Sequence, residues 1–186
     1  MKERGHVLKI LKQARQAVEA GDSGKLRDLS NQTVHTSSID QDPDNIAVAV
    51  IIYSLSKIVE RKDYQKYPGW KKFYEMFMRE ILHTIDAIEA NDEKKLKSHL
   101  MGIRKSIDKL SGKLKTYIQD VFRSASINKA SRIYEHGVSM EKTASLLGVT
   151  MFELAEYAGK TGISDVPLAK TQGVKERLKV AEGIFG

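Results

Sequence analysis

Apolar residues recur at alternating intervals of four and three along one stretch of the chain, and this spacing constrains the fold more than any other feature. They are Leu96, Leu100, Ile103, Ile107, Leu110, Leu114 and Tyr117. Such a period puts all of these side chains on one face of an α-helix, so the stretch predicts one helix with an apolar seam. The tight turn Ala90-Asn91-Asp92 makes the preceding helix the expected neighbour of this seam, and a second copy of the chain is the alternative.

The rest of the chain also has helical spacing, with only three prolines in 186 residues. A first helix near residues 2 to 20 carries Val7, Leu11, Ala14 and Val18 on one face, and Gly21 follows it. A second helix begins near Ser23. Asp42 and Pro43 are typical of the start of a third helix, which is apolar on nearly all sides from Ile46 to Ile58 and is expected at the centre, with Val50 buried.

A fourth helix carries most of the aromatic residues of the expected core. They are Trp70, Phe73, Tyr74 and Phe77. The sequence therefore predicts an all-α protein, in which residues 1–123 form a bundle of about five helices. The helical signal weakens at Gly112 and again at Ser124, and the boundary of this domain is placed near Ser124. Residues 124–186 then form a second, C-terminal module, which ends in a short amphipathic tail helix.

The segment from residue 127 to residue 160 has the spacing of a helix-turn-helix. Ser139 is placed to cap one helix, Ala144 is a small residue where two helices can cross closely, and Gly148 suits a left-handed turn. Thr150 and Glu153 are spaced as a capping box, which would use the Glu153 carboxylate at its own helix start. We therefore interpret this segment as a three-helix, groove-reading module.

This module resembles the helix-turn-helix of small prokaryotic antitoxins that accompany PIN-domain ribonuclease toxins. The resemblance rests on Ser139, Ala144, Gly148, Thr150 and Glu153 and covers fewer than 30 of the 186 residues. It implies DNA binding by the module and capture of a protein partner by the tail. The apolar face of that tail is formed by Val174, Leu178, Ala181 and Phe185.

Positive charge is concentrated ahead of the module. Residues 93–132 hold eleven Lys and Arg against three Asp and Glu, a local net charge of 11 − 3 = +8, whereas residues 137–186 hold six of each. We therefore expect phosphate contacts chiefly from the preceding helices, and base contacts from hydroxyl and apolar groups of the module. The predicted nucleic-acid-binding residues are Lys105, Lys109, Lys113, Lys129, Arg132, Lys142, Ser145, Thr150, Met151, Phe152 and Lys160.

Catalytic and metal-binding motifs are sparse. The chain has no cysteine, which excludes thiol catalysis, cysteine-based zinc sites and disulfides. Asn31 and His35 lie one helical turn apart in a polar run and are weak candidates for a binding role. We therefore expect a non-enzymatic protein of the cytoplasm, with no cofactor, no metal ion and no membrane span.

Two functional hypotheses follow from these features. The first is a DNA-binding transcriptional regulator, or an antitoxin-like protein, whose bundle forms a homodimer or senses a ligand. The second is an interaction protein that binds RNA or a ribonucleoprotein through its basic helix and uses the C-terminal module to dock a protein. The spacing of the module favours DNA, whereas the neutral charge of residues 137–186 favours docking.

Overall fold

The computed structural model describes residues 1 and 3–161, without the side chains of residues 36–40. These residues contain eight α-helices and one short 3-10 helix. No strand is present among these residues, which confirms the predicted all-α class. The helices are α1 (Arg4–Glu19), α2 (Ser23–Asp40), α3 (Pro43–Glu60), α4 (Trp70–Glu89), α5 (Glu93–Asp108), α6 (Gly112–Glu135), α7 (Met140–Leu147) and α8 (Met151–Thr161), with the 3-10 helix at Asp63–Lys66.

The predicted helix starts and stops in the first half of the chain are confirmed. Gly21 adopts a left-handed backbone with φ +69° after α1, and the Asp22 amide then donates to the Ala17 carbonyl at 2.8 Å. The Asp42 carboxylate caps α3 by accepting from the Asp44 amide at 2.9 Å, and Pro43 takes the first turn. Local interactions of this kind depend on residues only a few positions apart, and the sequence pattern therefore located them.

Helix α3 lies at the centre of the bundle, as its composition predicts. Val48, Ile52 and Leu55 are essentially inaccessible, and they pack among the buried faces of the surrounding helices. The expectation that Val50 is buried is wrong. Val50 is half-buried and lines a groove at the side of α3, because the neighbouring helices leave that part of its surface uncovered.

The single helix predicted from Leu96 to Tyr117 is two helices. α5 ends at Asp108, and α6 begins at Gly112, whose φ of +58° would be strained for other residues. Leu96, Ile103 and Leu114 are nevertheless all buried in one core, so the apolar seam continues across the break. α5 packs antiparallel to α4 across the turn at Asn91, which confirms the intramolecular alternative, whereas the homodimer stays a prediction.

Helix α6 runs without a break through Ser124, so the expected weakening of the helix at this residue is wrong. The first helix of the expected three-helix module, which begins at Ile127, is therefore the second half of α6. A buried apolar cluster joins that half to the bundle, because Ile133 of α6 packs with Val34 of α2 and Ile46 of α3. The division of the chain into two domains stays a prediction, with α6 shared by both.

Within the described part of the chain, no helix combines the length and the apolar character needed to cross a membrane. The predicted tail helix with Val174, Leu178, Ala181 and Phe185 lies outside the described residues.

The position of α3 can be tested by comparing two truncations on the same helix. We expect Ile52→Ala to lower the free energy of unfolding by about 3 kcal/mol, because it leaves a cavity at a fully buried site. Val50→Ala should lower the free energy of unfolding by at least about 1 kcal/mol less, because the Val50 side chain is only partly buried and lines the groove. Urea unfolding of both variants measures the difference, and equal losses would contradict the central position of Ile52.

Candidate nucleic-acid interface

The helix-turn-helix has the local geometry that its sequence predicts. The Ser139 hydroxyl caps α7 by accepting from the Lys142 amide at 3.3 Å. Gly148 ends α7 in a left-handed conformation with φ +63°. The Thr150 hydroxyl accepts from the Glu153 amide at 3.2 Å, and the Glu153 carboxylate accepts from the Thr150 amide at 2.9 Å, which completes a capping box at the start of α8.

Both short helices pack against the second half of α6. Ala144 of α7 and Leu154 of α8 are buried with Ala130 of α6 in a small apolar core. The Asn128 amide of α6 also donates to the Tyr157 hydroxyl of α8 at 2.9 Å. The three helices therefore form one packed unit, and the first turn of α8 is presented on its outer surface.

Glu153 also contacts a residue of another helix. The Arg123 guanidinium of α6 makes a bidentate contact with the Glu153 carboxylate, with Nε at 2.8 Å, and also donates to the Gly148 carbonyl at 3.0 Å. The Arg123 contact, followed by the bonds from Thr150, lowers the pKa of the Glu153 carboxyl to about 2. The negative charge of Glu153 is therefore neutralised within the protein, although sequence spacing alone did not identify Arg123 as its partner.

The exposed surface of α8 is apolar and nearly neutral. Phe152 is 75% exposed and Met151 is 54% exposed, as expected for residues that contact another molecule. Lys160 is exposed as well, but its ammonium pairs with Glu156 at 2.6 Å. The Thr150 hydroxyl donates to the Glu153 carboxylate at 2.6 Å, so its only proton is committed to the helix start. Thr150 therefore shapes the module rather than offering a donor to a base.

The prediction that Lys129 binds nucleic acid is wrong, because its side chain is completely buried. Its ammonium donates to the Asn31 side-chain oxygen at 2.8 Å and lies 4.2 Å from the centre of the Tyr53 ring. A sequence signal for this burial exists, since Lys129 lies four residues after Ala125 and four before Ile133, both of which are buried in the same helix.

Burial lowers the pKa of Lys129 to about 7, and the positive charge of Arg132 acts in the same direction. Asn31, a weak candidate for a binding role, is thus the hydrogen-bond partner of an internal lysine. His35 packs edge-on against His136, with 5.1 Å between the ring centres. Asn31 thus contacts the second half of α6, and His35 contacts His136, the residue that follows α6.

The other predicted residues are on the surface. Arg132 is exposed and pairs with Glu135 at 2.9 Å on the same helix. Lys142 and Ser145 are exposed on α7. Lys105, Lys109 and Lys113 are exposed around the junction of α5 and α6, and none of the three forms an ion pair with another described residue. We call these three residues the junction lysines.

A groove of about 620 Å³ links the junction region to the helix-turn-helix. Its lining includes Arg104 and Asp108 of α5, Arg123 of α6 and Gly148 of the turn before α8. Val50 of α3 also lines the groove. The basic helix α5 and the start of α8 are therefore neighbouring surfaces, although more than 40 residues separate them in sequence.

Comparison of the chain with protein-family models, with curated proteins and with solved structures found no match. The resemblance to antitoxin modules therefore stays a prediction from the residues of the module.

The buried ammonium of Lys129 predicts a pH-dependent stability. Its pKa in the folded protein is about 7, below the ordinary value of 10.5, so the unfolded chain binds more protons between these two values. The free energy of unfolding should therefore rise with pH across this window in the wild type, and Lys129→Met should remove that part of the rise. Urea unfolding at pH 7 and pH 9 measures it, and identical pH profiles for the two proteins would contradict the prediction.

Proposed function

We propose that this chain is a cytoplasmic helix-turn-helix protein that binds duplex DNA with low sequence specificity. The observation that carries the proposal is the position of the junction lysines. They are exposed, they have no ion-pair partner among the described residues, and they lie on α5, on α6 or between these two helices, both of which line one groove with the turn of the helix-turn-helix. Exposed cations on the helices next to a helix-turn-helix are the charge pattern expected for phosphate binding.

The charge pattern assigns phosphate contacts and base contacts to different helices. Phosphate contacts come from the junction lysines and from Lys142 on α7, because the cations nearest to α8 are neutralised by carboxylates within the protein. Base contacts are left to Met151 and Phe152, which can pack against thymine methyl groups, and to the Ser145 hydroxyl. With no free Arg, Lys or Asn at the start of α8 to read guanine or adenine, preference for A·T-containing sites should be weak.

The first turn of α8 also supports a second candidate function. A phenylalanine that is 75% exposed beside a half-exposed methionine is unusual on a surface that meets only water. The same two side chains could anchor a protein partner, with the basic junction holding RNA or a ribonucleoprotein. Antitoxin-like capture of a partner by the tail would add to either function, and the tail lies outside the described residues.

Replacing the junction lysines tests the proposed phosphate contacts. We expect Lys105→Gln/Lys109→Gln/Lys113→Gln to weaken binding to all duplexes alike. The plot of log affinity against log salt concentration should become shallower by about 0.9 for each phosphate that the variant no longer neutralises. A matched control carries the same charge change at Lys9, Lys25 and Lys62, which are exposed lysines elsewhere on the bundle. An equal weakening in both variants would show only a general effect of net charge and would count against the interface.

Changing the exposed pair on α8 separates DNA reading from protein docking. If α8 enters the groove, Met151→Ala/Phe152→Ser should reduce the preference for A·T-containing sites and leave salt-sensitive, non-specific binding intact. Met101→Ala is the control, since Met101 is 56% exposed but lies on α5. Titrations against duplex DNA and structured RNA, together with light scattering, give the readout. Unchanged DNA preference together with the disappearance of self-association would identify the pair as a docking surface.

A further inference from the structure

Three side chains with metal-binding chemistry meet on the α4–α5 hairpin, away from the helix-turn-helix. Glu80 and His83 lie three residues apart on α4 and therefore share one helical face. His99 projects towards them from α5, and its Nδ1 lies 2.9 Å from the Glu80 carboxylate. One ligand atom from each of the three residues falls within 4.8 Å of the other two.

A glycine of α5 leaves space for the Glu80 carboxylate beside His99. Gly102 lies in the interior of α5, one turn after His99, where glycine costs about 1 kcal/mol relative to alanine. A Cβ atom at this position would be 2.8 Å from a Glu80 carboxylate oxygen and 2.9 Å from its Cδ. The missing side chain of Gly102 thus gives the Glu80 carboxylate the space to lie against α5, beside His99.

We propose that Glu80, His83 and His99 form a binding site for a divalent transition metal of the Zn²⁺ class. Two imidazoles and one carboxylate are the donor set of many three-ligand zinc sites, in which water completes the coordination. The same set disfavours Mg²⁺ and Ca²⁺, which prefer oxygen ligands alone. This proposal departs from the sequence-based expectation of no metal ion, and it does not depend on nucleic-acid binding.

The site is close to the geometry that a zinc ion requires. Ligand atoms at about 2.0–2.2 Å from a tetrahedral ion lie about 3.4 Å from one another, so atoms within 4.8 Å need only small side-chain rotations. The two imidazole rings already pack with 4.9 Å between their centres. Glu80 and His99 are 19% and 26% exposed, which leaves a path for the ion and for a coordinating water.

Binding should also change the hydrogen bonding of the site. Glu80 and His99 share one hydrogen bond in the metal-free protein, and the contacting nitrogen or oxygen must present a lone pair to the ion instead. The ion would then connect α4 to α5 in place of that hydrogen bond. The sequence signal for the site is Glu-x-x-His at residues 80–83, and the pairing of this motif with His99 depends on the hairpin.

Calorimetric titration of the full chain, prepared without a histidine tag and stripped with a chelator, tests the proposal with Zn²⁺ as the probe. We expect one Zn²⁺ per chain and no comparable binding of Mg²⁺. His99→Asn and Glu80→Gln should each weaken binding at least about tenfold, since loss of even an outer-shell partner commonly has this effect.

Two further variants separate metal binding from an effect on folding. Gly102→Ala should weaken Zn²⁺ binding because its Cβ displaces the Glu80 carboxylate, whereas alanine favours the helix itself. The control His35→Asn/His136→Asn removes the other pair of packed histidines and should bind Zn²⁺ as the wild type does. The proposal is overturned if the wild type takes up no stoichiometric Zn²⁺, or if the variants at residues 80, 99 and 102 bind it as tightly as the control.

Discussion

Burial of one face of α6, from its first half to its second, is the constraint on which the rest of the structure depends. Its first half places Leu114 and Ile118 in the main core of the bundle. Its second half places Ile133 against α2 and α3, and Ala130 against the two helices of the helix-turn-helix. Because one rigid helix contributes to all three apolar clusters, the position of α8 relative to the basic helix α5 is set by α6 rather than by a linker.

Two polar interactions of α6, one in the interior and one near the surface, stabilise this arrangement. Lys129 brings an ammonium group into the interior, where the Asn31 oxygen and the Tyr53 ring are its partners on α2 and α3. Near the surface, Arg123 connects α6 to both the turn and the start of α8. Burial of the Lys129 ammonium is unfavourable unless it is hydrogen-bonded, and removing either Lys129 or Asn31 leaves a buried polar group unsatisfied. The contact therefore contributes to one specific packing of α6 more than to overall stability.

The same contacts explain why the helix-turn-helix carries so little free charge. Glu153 and Lys160 are each matched by an opposite charge within the protein, and Lys129 is inside it. Near the module, free positive charges lie on α7 and at the junction of α5 and α6. In the proposed function, affinity would consequently come from the bundle and the weak sequence preference from the module. The candidate metal site is separate from these contacts, because its ligands are grouped by the α4–α5 hairpin and not by α6.

Sequence by itself determined the features that depend on neighbours three or four residues apart. The helical period identified the all-α class and the central position of α3, and Ser139, Gly148, Thr150 and Glu153 located the helix-turn-helix, because caps and turns are made by local hydrogen bonds. The weaker helical signal at Gly112 corresponds to the break between α5 and α6, but the apolar period did not show this break, since the apolar seam continues across it. Only the tertiary structure decided which polar side chains of different helices meet. Arg123 and Glu153 are 30 positions apart, His99 and Glu80 are 19 apart, and Lys129 and Asn31 are 98 apart. Such pairs depend on how whole helices pack, which spacing along a single helix does not specify.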